Sequence, residues 1–419
     1  MSADKTEKEA KNIPQVLLSK KIEGMWAAPK STANPSMIPG NPNPRSASKA
    51  TSVAGSTLAD IFGMAYLYNQ GLPLWSIFLT YALIQAFPLF IRPFIARFGA
   101  RVGARRASIT GTLLFAGNYL LLSRVHGVSA ALGVFAIYSA LSSVAYWTPF
   151  NIYFSKLSTK ENRGEDIGAK EMLVTIAQAV TPAVAGITIA ARGFLAPFVA
   201  ATIVTLAALI PLALLPEVRL ERPPRSLTFF RKMDWRAFFA CFAHGWIESA
   251  NAVVWPLVVF LLFNNYVIAG VLASLIVVVR MTGLLVVGRS IDHGRRRFVY
   301  LSALALIGVV TAGRMLMVTS VPRAICFDIL YAIALCFYGL AFETVLYDSL
   351  DGAENTWQSS IGVEGAYDLG ALGVWLLGAL LIFHNVNARY AVGLGLVGIV
   401  FLFPAFRSLY RSDRAAAGK

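Results

Sequence analysis

RPFIARFGARVGARR, residues 92–106, places five arginines and no acid between two long apolar runs. A chain that gathers positive charge into one short turn is sorting charge by position, and the composition around the turn says why. Of 419 residues, 57% are hydrophobic and 14% are charged, where a soluble domain is about a quarter charged. Most of the chain falls into apolar runs of about 20 residues, each long enough as a helix to cross a hydrocarbon core about 30 Å thick. The mean hydropathy of +0.62 agrees. The reading is an all-α integral membrane protein with 92–106 at its surface.

Twelve transmembrane helices are expected, near 52–71, 74–95, 107–123, 129–154, 167–190, 194–216, 236–263, 267–288, 298–319, 323–346, 359–384 and 387–408. The first is the weakest, because it holds Asp60 and many small residues. Charge decides whether it crosses. Of the 37 lysines and arginines, 31 fall in the amino-terminal tail, the carboxy-terminal tail and the turns after even-numbered spans 2, 4, 6 and 8. Positive residues mark the cytoplasmic side. If span 1 did not cross, the tail's eight cations would sit on the wrong face. Both termini are therefore expected in the cytoplasm, and the bacterial inner membrane is the expected location. The turn 347–358 departs from the pattern, with Asp348, Asp351 and Glu354 and no cation.

The chain also repeats itself. YFSKLSTKEN (153–162) and LYDSLDGAEN (346–355) each follow the fourth span of a half, and Leu157/Leu350, Glu161/Glu354 and Asn162/Asn355 coincide. The expected organisation is a disordered cytoplasmic tail over 1–50, a six-helix half over 51–216, a basic linker over 217–235, a second six-helix half over 236–409 and a tail over 410–419. Within the first tail, 13–26 could lie on the membrane as an amphipathic helix.

GRSIDHGRRR, 288–297, then gives the opening stretch a counterpart. Gly288, Asp292, Gly294, Arg295 and Arg296 resemble the Gly-x-x-x-Asp-Arg-x-Gly-Arg-Arg loop of the major facilitator superfamily, a family of secondary transporters. In the first half Ala96, Arg101, Gly103, Arg105 and Arg106 follow the same pattern, with Arg97 beside them and Ala100 in place of the aspartate. The resemblance implies two pseudo-symmetric six-helix halves rocking about a midplane site. It also implies that spans 1, 4, 7 and 10 line the cavity and that helix 11 abuts the loop after helix 2. AQAVTPAVAG, 177–186, is similar to a stretch associated with the family's antiporters, although Thr181 and Ala185 replace two glycines there. Pro182 and Gly186 suit close helix packing equally well.

Ionisable groups inside spans are costly unless they face protein or water, so each is a candidate for function. On span 7, His244, Glu248 and Asn251 are spaced to share one helix face. A carboxyl near mid-membrane favours its neutral form and can carry a proton, and a histidine beside it can couple to it. Glu248 and His244 are the first candidates for proton coupling, with Asp60 and Glu343 on two other cavity spans. Tyr146, Trp147, Asn151, Asn251, Arg280, Arg314, Gln85 and Gln178 are candidates for a substrate cavity. Each of the two arginines either pairs with an intramembrane acid or meets an anionic substrate. Glu364 and Asp368 are a turn apart on span 11. They either supply the negative charge missing at Ala100 to the 92–106 arginines or form a proton relay with Glu343.

The net charge of +15 would suggest nucleic acid on a soluble protein. Its distribution here points to the lipid bilayer instead. Cys241, Cys326 and Cys336 lack any metal-ligand spacing. No metal-protease helix, nucleophile turn or phosphate-binding loop occurs, so neither an enzyme nor an ATP-driven pump is expected. The expectation is a monomeric transporter for a small-molecule substrate. It would be coupled to protons or another ion and need no cofactor, with efflux slightly favoured. The rival reading is a non-transporting assembly factor or receptor on the same fold.

Overall fold

The computed structural model describes residues 44–157, 163–219, 233–292, 296–350 and 356–404. The amino-terminal tail through 43, most of the linker (220–232), the turns 158–162, 293–295 and 351–355, and the tail from 405 lie outside the described residues. So does any surface helix over 13–26.

Among the described residues the chain forms helices and no strand. In chain order they are α1 (Pro44–Asn69), α2 (Leu74–Val102), α3 (Ala104–Leu122), α4 (Ala130–Leu157), α5 (Arg163–Arg192) and α6 (Leu195–Ala213, with a turn at Ala208). There follow α7 (Trp235–Phe263), α8 (Tyr266–Asp292), α9 (Arg296–Met317), α10 (Val321–Leu350), α11 (Thr356–Phe383) and α12 (Arg389–Pro404). Nine of them are long and apolar enough to cross a membrane. The other three are α1, with Lys49, Asp60 and a run of serines and threonines, α3, which opens on Arg105 and Arg106, and the short α12.

The breaks have local causes. Gly103, at φ 94°, turns the chain between α2 and α3 in a region that only glycine enters freely. Asp234 caps α7 by accepting from the Arg236 backbone N–H at 3.1 Å, and Asn265 caps α8 through Val267 at 2.9 Å. Helix α7 is α-helical to Glu248, π-helical over Ser249–Val254 and α-helical again from Trp255. Pro256 lacks the N–H that would bond the Ala252 carbonyl, and the wider π turn takes up that defect.

Helix α1 begins at Pro44, ahead of both the expected span and the expected half boundary at 51. Polar residues hid this start. Ser46, Ser48, Lys49 and Ser52 are buried, and the Ser48 hydroxyl donates to the Ala208 carbonyl at 3.1 Å. That carbonyl also accepts from the Leu212 backbone N–H at 3.3 Å, so the polar start of α1 is held at the turn in α6.

Apolar side chains cover the outside of the bundle: Phe90 is 70% exposed, Leu214 75% and Val400 69%, whereas Arg92, Arg314, Asp328 and Asp368 are buried. This inverts the soluble pattern and suits hydrocarbon as solvent.

Two helix pairs make the most extensive contacts between the first six helices and the last six. Along α2 and α11, Trp375 packs on Phe78 and Tyr81 with ring centroids 5.4 and 5.0 Å away, and Trp75 meets Phe383 at 5.9 Å. Along α5 and α8 the backbones touch. A Cβ at Gly186 would collide with the Tyr266 carbonyl, and one at Gly270 with that of Pro182. Gly186→Val is expected to destabilise the fold by about 1–3 kcal/mol through overpacking, read as a lower Tm in detergent. An unchanged Tm would show that the two helices separate freely.

Candidate functional site

A cavity of about 580 Å³ opens between the two groups of helices. Its wall is built by α1, α4, α5, α7, α8 and α10. Of the residues singled out from sequence, Asp60, Trp147, Gln178, His244, Glu248, Asn251 and Arg280 line it. Asp328, Tyr331, Tyr338 and Phe342 of α10 line it too. The aromatic face of α10 gave no polar signal in the sequence.

Helix α7 supplies the titratable pair. His244 Nε2 lies 3.4 Å from Glu248 Oε2, one turn away, with both side chains part-exposed to the cavity. His244 Nδ1 shares a 2.9 Å hydrogen bond with the Tyr338 hydroxyl. The imidazole is stacked on Phe342, with centroids 4.3 Å apart. Its two nitrogens thus have separate partners, and the ring bridges α7 to α10.

A second cluster lies behind the wall. Arg314 of α9 and Asp328 of α10 form an ion pair at 2.5 Å with both side chains fully buried. Trp255 Nε1 donates to the same Asp328 oxygen at 2.9 Å. The guanidinium carbon sits 4.0 Å from the Tyr331 ring centre and 4.7 Å from that of Trp255. Arg314 also donates to the Asn251 carbonyl at 3.2 Å, inside the π turn, and Thr311 donates to the Asn251 side chain at 3.2 Å. The wider turn therefore feeds a carbonyl to a buried cation. Arg314 does not line the cavity as expected from sequence, because this network draws it behind α7.

Tyr146, Asn151 and Gln85 also lie off the cavity wall. Tyr146 is buried and stacked between Phe115 and Phe150. The Lys49 ammonium sits 3.4 Å over the Trp147 ring. Asn151 turns toward α11, donating to Glu364 at 3.2 Å.

That contact belongs to a third cluster, where the opening stretch meets its acids. Arg92, the first residue of 92–106, reaches Asp368 through Nη1 at 2.5 Å and Glu364 through Nε at 3.0 Å, the latter as an ion pair without hydrogen-bond alignment. Thr148 donates to Glu364 at 2.7 Å. The acids thus meet the arginine that lies nearly three turns inside α2, not Arg101, which sits at the helix end. Arg105 and Arg106 instead face Glu217 at 3.8 Å, and the Arg105 backbone N–H donates to Glu217 at 2.9 Å. Glu217 caps α3, a role that no spacing in the sequence announced. Gly103 allows this approach, since a Cβ there would strike the Glu217 carboxylate. Gly294 and Arg295 fall outside the described residues, and Gly288 and Asp292 lie in the last turns of α8. Glu343 lies in α10.

Arg92→Gln is expected to loosen the contact of α2 with α11 and leave the buried Asp368 and the half-buried Glu364 to repel. Disulfide trapping between cysteines introduced at the buried ends of α2 and α11 should become at least several-fold slower. Equal trapping rates in the variant and the parent would show that the ion pair does not hold the two helices.

Three comparisons bear on the identity of this arrangement. Residues 47–362 match the Major Facilitator Superfamily. No curated protein matches the chain. Among solved structures, a D-xylose–proton symporter superposes with a TM-score of 0.61 at 14% identity, over 86% of this chain and 96% of that one. A POT family transporter in complex with 5-aminolevulinic acid superposes with a TM-score of 0.65 at 13% identity, over 86% and 93%. At these identities the two likenesses speak for the fold.

Proposed function

The chain belongs to the Major Facilitator Superfamily, and from that premise we propose that it is a secondary active transporter. It moves a small organic solute across a membrane by alternating access, driven by protons. It is a transport protein and not an enzyme. The observation that carries the proton coupling is the His244–Glu248 pair, 3.4 Å apart and open to a cavity between the two groups of helices. Glu248 is a group able to carry a proton, and its opening to the cavity gives that proton a route in and out. One of the superposed structures is a proton symporter, which agrees with the reading.

In this proposal all twelve helices cross the bilayer in two six-helix halves. The polar α1 and α3 and the short α12 cross because their polar residues face neighbouring helices. The charge distribution supports both termini on the cytoplasmic side; in this proposal the membrane is a bacterial inner membrane and the protein acts as a monomer. Pro182 and Gly186 are accounted for by the contact of α5 with α8. They therefore lend nothing to efflux, and the proposal carries no direction.

The test is flux into vesicles reconstituted with the protein. The radiolabelled panel holds sugars, amino acids, dipeptides, amines and carboxylates, with and without an imposed pH gradient. Uptake of a panel member that rises with the gradient and collapses with a protonophore is expected. Gradient-independent behaviour across the whole panel would overturn proton coupling.

A further inference from the structure

Resting on that reading and extending it, we infer that the cavity takes a zwitterion, a solute with an ammonium and a carboxylate on an apolar body. The basis is an account of the charges that line it. Asp328 is taken by Arg314, and Glu248 and His244 face each other as the pair assigned above to proton coupling. Two charged side chains remain on the wall, Asp60 and Arg280. Among the described residues neither forms an ion pair or a side-chain hydrogen bond, and both are exposed.

The two come from different groups of helices, Asp60 from α1 and Arg280 from α8. Unlike charges thus stand apart in one chamber without neutralising each other. Holding an unpaired charge within a membrane is unfavourable, so a ligand that meets both charges gains from both. A lone anion would satisfy Arg280 and leave Asp60 facing an apolar ligand. A lone amine would do the reverse, and a sugar would pair neither. A zwitterion meets Asp60 with its ammonium and Arg280 with its carboxylate. In doing so it bridges the two groups of helices, so that filling the site and closing it become one event.

Trp147, Ile276, Val277 and Leu335 give the same wall an apolar part. A volume of about 580 Å³ lies in the range of drug-sized ligands. The body is therefore an aromatic or aliphatic amino acid or a dipeptide in size.

The experiment is binding by thermal shift and calorimetry on the purified full chain. The probes are the aromatic and aliphatic amino acids and their dipeptides, each beside its matched amine without the carboxylate and matched acid without the ammonium. At least one zwitterion should bind, with both matched analogues at least about tenfold weaker, the scale of one lost charged hydrogen bond. In Asp60→Asn the zwitterion should lose its advantage over the matched acid. In Arg280→Gln it should lose its advantage over the matched amine. Because each readout is a ratio within one preparation, partial misfolding does not imitate it, and Asp60→Glu should restore the advantage. The inference is overturned if no zwitterion binds, if a singly charged analogue binds as well, or if both variants keep the wild-type ratios. The last result would mean that Asp60 and Arg280 serve only each other when the halves close. Transport of sugars or singly charged solutes alone would sink the inference and leave the transport reading standing. A zwitterion that binds but is moved under no gradient would do the opposite.

Discussion

Arg314→Met is expected to destabilise the protein by about 3–5 kcal/mol, the cost of breaking one partner of a buried ion pair. The pair is 2.5 Å long with neither side chain exposed, so the surviving Asp328 carboxylate has no solvent to turn to. It keeps only the Trp255 N–H. Asp328→Asn should be destabilising in the same sense, because it leaves the guanidinium charged between Trp255 and Tyr331. The double variant Arg314→Met with Asp328→Asn buries no charge and should recover most of the loss. The pattern to look for is strong non-additivity, since residues in contact couple by up to about 3 kcal/mol. Thermal unfolding in detergent of the parent, both single variants and the double variant measures it. Two small, additive losses would mean that the cluster is wet and that its burial has no energetic consequence. The cluster also holds the Asn251 carbonyl of the π turn, so the single variants should disorder the cavity wall before they unfold the bundle.

Glu248→Gln should abolish solute accumulation driven by a pH gradient, by about tenfold or more, the scale of losing a positioned proton carrier. Exchange of labelled for unlabelled solute across the membrane should persist, because exchange needs the site and the rocking motion but no net proton movement. The amide preserves the size and the polar contact with His244 and removes only the proton. Loss of both activities would assign Glu248 to substrate binding. Retention of both would remove it from the mechanism. His244→Gln should fall between the two, since it keeps a hydrogen-bonding group beside Tyr338 while removing the imidazole that faces Glu248.

The ease with which the fold was read from sequence has a physical reason. Apolar runs, basic turns and the duplicated loop at 92–106 and 288–297 are one-dimensional patterns, set by the thickness of the bilayer and the sign of charge on one face. They located the helices to within a few residues. The exceptions were the start of α1, where Ser48 bonds to the Ala208 carbonyl at the turn in α6, and the end of α2, which runs on to Val102 and takes in most of 92–106. For the site, helical spacing put His244 and Glu248 on one face and put Glu364 and Asp368 on another. Both pairs stand together in the structure.

What spacing could not decide was partnership across helices. The sequence by itself determined that this is a helical membrane protein, where its charged turns lie, and which ionisable groups must be sheltered from lipid. Only the tertiary structure decided that Arg314 is buried against Asp328 while Arg280 faces the cavity. Only it decided that Arg92, not Arg101, meets Glu364 and Asp368, and that Glu217 answers Arg105 and Arg106. The two kinds of information differ in origin. Partition between lipid and water acts on each segment alone and leaves its mark along the chain. The pairing of one buried charge with another depends on which helices lie side by side and how each is rotated, and local sequence does not carry that.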